Sequence, residues 1–87
     1  MEAIERLLDH ARQGDAEALS MLYHRFLPAI FGYMATRVPD RATAEDLTAD
    51  VFLSMVEGID RLRAADEAGF AAWLLRIAQI TVAGYYR

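Results

Sequence analysis

Between Ala44 and Glu57, apolar side chains recur every three to four residues on two sides of the chain at once. That spacing is helical, and it divides the residues cleanly. At about 100° per residue, Leu47, Val51 and Met55 share one face with Ala44. Asp46, Ala49, Asp50, Leu53 and Val56 fall on the other. Thr43 is the expected N-cap, accepting from the Asp46 backbone N–H while Asp46 reaches back, and Gly58 lies just past the end. One face is suited to this molecule's own core. The other, with carboxylates ringing apolar side chains, suits a helix-on-helix contact with a partner, the plainer alternative being a core helix with a few exposed apolar residues.

The rest of the chain reads as helices built around this one. Glu2 to Gln13 carries Ile4, Leu7, Leu8 and Ala11 at helical spacing, with acids near its start and Arg12 near its end. Gly14 stops it, and Asp15 is the next N-cap. Ala16 to Arg37 repeats Leu19, Leu22, Tyr23, Phe26, Ile30, Phe31 and Met34, a stripe wide enough for the central core helix. Pro28 interrupts it, which predicts a kink near His24 to Leu27 or two abutting helices. Val38-Pro39-Asp40 ends the element. Ile59 to Gly69 has no sustained apolar period and reads as a loop. Phe70 to Arg87 resumes with Phe70, Trp73, Leu74, Ile77, Ala78, Thr81 and Tyr85 as a core stripe, leaving Arg76, Ile80, Ala83 and Arg87 together on another face.

No segment has a period of two, so the expected fold is all-α, a compact four-helix bundle forming one domain over residues 1–87. No internal repeat or low-complexity tract is present. The absence of Cys removes disulfides, thiolate nucleophiles and Cys-based metal sites, and fits a reducing cytosol. No apolar run approaches the roughly 20 residues of a bilayer span. A cytoplasmic protein with no membrane partner is the expectation.

All nine cations are arginine, set against thirteen acids for a net charge of −4. The charge is uneven. Residues 1–60 carry five Arg against eleven acids, whereas residues 61–87 carry four Arg against Asp66 and Glu67. The net charge argues against a generic polyanion binder, and if a nucleic acid is touched the last third is where contact is expected.

Catalytic chemistry has no constellation here. His10 and His24 lack metal-ligand spacing, Ser20 and Ser54 lack a nucleophile-elbow context, and no glycine-rich phosphate loop occurs. Asp46 and Asp50 stand at i and i+4 without a titratable partner nearby, which favours a solvated or partner-facing edge over acid–base work. Met21, Met34 and Met55 read as core filler. The expectation is a protein that is not an enzyme and needs neither cofactor nor metal.

Three stretches in order, Ala11 to Leu19, Asp40 to Leu53 and Phe70 to Ala78, resemble region two of the extracytoplasmic-function sigma factors, the alternative specificity subunits of bacterial RNA polymerase. The most specific parts are Ala44-Glu45-Asp46-Leu47 running on into Val51-Phe52-Leu53, and Trp73-Leu74-Leu75-Arg76-Ile77-Ala78. The resemblance implies transcription initiation. Asp46, Ala49, Asp50, Leu53 and Val56 would contact the clamp helices of the polymerase largest subunit, with Phe52 at the flank as either core or contact. It also implies recognition of the melted minus-ten promoter element. Arg61 and Arg63 would lie in a loop that captures a flipped base, and Trp73, Arg76, Gln79 and Arg87 on a helix against the DNA. By periodicity alone Trp73 belongs to the core. An anti-sigma factor is a further implied partner.

Two positions depart from the family pattern. Its Arg-Asn pair after Ile-Ala is here Gln79-Ile80, and its Asp or Asn before Tyr is Gly84. Losing the Asn removes a bidentate base-reading group, which raises the alternative of a sigma-like module binding protein only. A full sigma factor would continue past Arg87 into a second helical domain, so the chain is expected to be an excised domain or a natural fragment.

Overall fold

The computed structural model describes residues 3–87, in which helices α1 (Ile4–Arg12), α2 (Ala16–Ala35), α3 (Arg41–Gly58) and α4 (Glu67–Tyr85) follow one another, with a 3-10 turn, Ile59–Arg61, after α3. No strand occurs among the described residues. The Glu2 start expected for the first helix lies outside them.

Each boundary has a local cause. After α1, Gly14 adopts a φ of +85°, a left-handed conformation available at little cost only to glycine. Its N–H reaches the Ala11 carbonyl at 3.0 Å while that of Asp15 reaches His10 at 3.1 Å, the paired bonds of a Schellman stop. The Asp15 carboxylate then caps α2, accepting from the Glu17 and Ala18 amides.

Pro28 sits inside α2, yet the helix runs through it as one element and not as two. Apolar residues on both sides hold it: Leu22, Ile30 and Met34 are buried, and Leu19, Phe26 and Phe31 pack partly against the same core. Met21 is no filler. It is 45% exposed, because it falls off the stripe that Leu22 and Ala18 occupy.

Helix α3 begins three residues earlier than its periodicity suggests. Asp40, not Thr43, is its N-cap, accepting from the Thr43 amide at 2.7 Å, so no capping box forms with Asp46. Two cap-competent residues stand three apart, and the upstream one prevails because it ends the extended Val38-Pro39-Asp40 segment. Gly58 is the last residue of α3 and not the first beyond it.

The segment expected to be loop is partly ordered inward. Ile59 is 2% exposed and Leu62 packs against the core. Asp66 caps α4 through the Gly69 amide at 2.8 Å, so α4 starts at Glu67 and not at Phe70. Phe70, Leu74 and Ala78 are buried and Trp73, Ile77 and Thr81 half-buried, whereas Tyr85 stands 43% exposed beyond the core's end. Phe70 meets Phe26 edge to face at 5.0 Å, joining α2 to α4.

Candidate functional site

Helix α3 packs against both α2 and α4 by one side only. Ala44, Leu47, Val51 and Met55 are buried, joined by Phe52 and by Thr48, whose hydroxyl donates to the Ala44 carbonyl at 2.7 Å. Phe52 is thus a core residue, edge-on to Tyr23 at 4.9 Å.

Asp46, Ala49, Asp50, Leu53 and Val56 are all exposed, Leu53 at 58% and Val56 at 48%. Neither Asp46 nor Asp50 has an ion-pair partner among the described residues. These five residues form an apolar strip with two unneutralised carboxylates.

Beside the strip lies an open groove of about 590 Å³ between α2 and α3. Tyr23, Leu27 and Phe31 form one wall and Ala49 and Phe52 the other, with the Arg41–Glu45 ion pair, 3.0 Å, at its rim. Pro28 also lines it. The α2 contribution is absent from any reading of α3 alone, since periodicity within one helix does not say which neighbour leaves a gap beside it. Nearby, the Thr43 backbone N–H and hydroxyl hold the Asp40 carboxyl below its ordinary pKa.

The last third of the chain has a different character. Arg61 ends the 3-10 turn and Arg63 lies in the following loop, both exposed. Arg76, Gln79 and Arg87 are exposed along α4 and its end. On a regular helix Trp73, Arg76 and Gln79 span about 120° of arc, whereas Arg87 lies two residues beyond the end of α4 and not within the helix expected to run to it. Trp73 is half-buried. Its ring lies 5.9 Å from that of Phe70, and a Cβ added at Gly58 would stand 3.4 Å from its Cζ2, so the indole covers the end of α3 with part of its surface in solvent.

The arginines divide by surroundings. Arg12, Arg25 and Arg41 pair with Asp9, Glu67 and Glu45, and Arg37 lies over the Tyr33 ring at 3.7 Å. Among the described residues, Arg61, Arg63, Arg76 and Arg87 have no carboxylate partner. The α4 surface also exposes Leu75, Ile80, Tyr85 and Tyr86, with the Tyr86 hydroxyl donating to the Arg37 carbonyl. His10 lies 3.9 Å from Asp15 and His24 is edge-on to Tyr23, both on the surface. Among the described residues no cluster of groups suited to a metal ion occurs, and no helix is long and apolar enough to cross a membrane.

These features have counterparts in known proteins. The family model for sigma-70 region 2 matches residues 22–87. The chain is 36% identical over its whole length to 31% of the ECF RNA polymerase sigma factor BldN of Streptomyces coelicolor. It is 30% identical over 93% of its length to 41% of the ECF RNA polymerase sigma-E factor of Haemophilus influenzae. Against the RNA polymerase sigma factor CarQ of Myxococcus xanthus it is 36% identical over 82% of its length, covering 40% of that protein. The chain thus spans between 31% and 41% of the length of these curated relatives. No solved structure matches it. An all-helical fold, the match over residues 22–87 and relatives of one kind converge: the chain belongs to the sigma-70 region 2 family, in its extracytoplasmic-function branch.

Proposed function

We propose that this chain is the part of an alternative sigma factor that docks on the RNA polymerase core and recognises the melted minus-ten element in transcription initiation. It works by binding alone, as one domain over residues 1–87, in the cytoplasm. The observation that carries the reading is the division of α3, with Leu47, Val51 and Met55 sealed inside while Asp46, Ala49, Asp50, Leu53 and Val56 remain in solvent.

A strip of this kind fits the clamp helices of the polymerase largest subunit. Leu53 and Val56 supply apolar area, the two carboxylates select a basic counterpart, and the α2–α3 groove gives room for side chains from a docked helix. In the last third of the chain, Arg61, Arg63, Arg76 and Arg87 are exposed and without a carboxylate partner among the described residues, and so available to phosphates. Trp73 and Gln79 offer a stacking surface and an amide to unpaired bases. The DNA contact is expected to be weak in isolation and strongly salt-dependent, since few cations contribute.

The test is retention of the chain on an immobilised clamp-helix fragment. Asp50→Arg combined with Leu53→Ala should abolish retention without changing the thermal midpoint. Unchanged retention refutes the docking reading.

A second reading, favoured by Ile80 at 56% exposure and by Gly84 with open space around it, is a module that binds the polymerase or an anti-sigma factor but no longer reads DNA. Sequence-selective binding of a single strand at moderate salt eliminates it.

A further inference from the structure

The loop between Arg61 and the cap of α4 has little structure of its own. Among the described residues its one backbone-to-backbone hydrogen bond is from the Leu62 N–H to the Ile59 carbonyl at 3.1 Å, which lies outside the loop. Its shape is imposed from outside, by residues distant in sequence.

The principal tie comes from α1. Arg12 Nε donates to the Leu62 carbonyl at 3.0 Å, one terminal nitrogen donates to the Ala64 carbonyl, and the other donates to Asp9 Oδ1 at 2.9 Å. A planar guanidinium with fixed donors makes two carbonyls, two residues apart, converge on one side. Arg63, between them, is left exposed. The Arg12 side chain is only 21% exposed, and Asp9 balances its charge, so it is poorly placed to bind phosphate itself.

The loop's other side is equally close. A Cβ at Gly69 would fall 2.6 Å from the Ala64 Cβ, so Ala64 is pressed onto the first turn of α4. That turn is tied in its turn to α2 by Arg25 and Glu67 at 3.0 Å.

We propose that Arg12 is a positioning residue that holds the loop from Leu62 to Ala64 in the shape that admits an unstacked base. This rests on the reading of the loop as a base-capturing element. A loop without internal bonds would otherwise have to be ordered at the moment of binding, and that cost would be subtracted from affinity. Arg12 removes it in advance. The fork matters more than the charge, because a lysine ammonium cannot hold both carbonyls in one plane.

The experiment compares wild type, Arg12→Ala and Arg12→Lys by two readouts. The first is the backbone order parameter of residues 61–66, expected to fall from a rigid value of about 0.85 to below about 0.6 in both variants. The second is the affinity ratio between the best of the four homopolymer DNA decamers and a fully abasic decamer. A ratio of roughly tenfold or more in wild type is expected to drop at least about fivefold in both variants. Affinity for the abasic strand and for the clamp-helix fragment should stay within about twofold, which a merely destabilised fold would not allow. If Arg12→Ala does not fold, Arg12→Lys carries the test. Rigid loops and an unchanged ratio in a folded variant overturn the proposal and leave base capture standing. A wild-type ratio near one refutes base capture instead, and the order parameters then decide on their own whether Arg12 shapes the loop.

Discussion

Val51 and Leu53 stand two residues apart on α3 and should respond to the same substitution in opposite ways. Val51 is fully buried and Leu53 is 58% exposed. Val51→Ala deletes two buried methyl groups at about 0.8 kcal/mol each, and the residual cavity brings the loss to about 2–3 kcal/mol. For a chain of this size that corresponds to a fall in Tm of roughly 10–20 °C, out of a total stability of about 4–13 kcal/mol. Leu53→Ala removes side-chain atoms already largely in water, so its Tm should move by less than about 0.5 kcal/mol equivalent. What it forfeits is area buried on docking, about 1 kcal/mol or roughly fivefold in affinity. Urea denaturation monitored at Trp73, together with titration of a clamp-helix hairpin at a temperature where both variants are folded, separates the two effects. Equal destabilisation by both substitutions would show that the outer strip is structural. Unchanged affinity in Leu53→Ala would show that it is no interface.

Three further outcomes are expected. The Asp40 pKa lies below its ordinary value of 3.8 through the Thr43 backbone and hydroxyl bonds, so its stabilisation is complete above that value and is lost as pH falls through the lowered one. Asp40→Asn should therefore lose stability relative to wild type near pH 7, with the difference shrinking below about pH 4 in acid denaturation curves. Gly69→Ala drives a methyl into Ala64 and should cost about 1–3 kcal/mol in urea melts, part of it recovered by adding Ala64→Gly. Single-strand affinity should fall with salt at about −0.7 in logarithmic slope per engaged arginine, roughly −3 if all four take part. Arg76→Gln should flatten that slope by one such step in anisotropy titrations, and an unchanged slope would remove Arg76 from the contact.

What the sequence made legible was whatever one helix determines by itself. Leu47, Val51 and Met55 point inward because a spacing of three and four forces them onto one side. The outward position of Leu53 and Val56 follows from the same geometry. Asp15 marks a helix start because its neighbours offer no competing cap, whereas Asp40 and Thr43 are both cap-competent and local sequence does not decide between them. Tyr85 fits a helical period but lies where no neighbouring helix covers it, and period carries no information on neighbours; Met21 lies off the α2 stripe altogether. The Arg12 tie was the least legible. At the end of α1 an arginine is already explained by the helix dipole, and nothing local points to carbonyls fifty residues away.

The corner between α1 and α2 joins these observations. Gln13, Gly14 and Asp15 reverse the chain with one left-handed glycine, and Asp15 both completes the stop of the first helix and begins the second. Arg12 is the residue immediately before this hairpin. A side chain at position 14 would meet no neighbouring atom, so its whole cost would be backbone strain in the turn from which Arg12 begins its reach, at a glycine remote from every proposed contact.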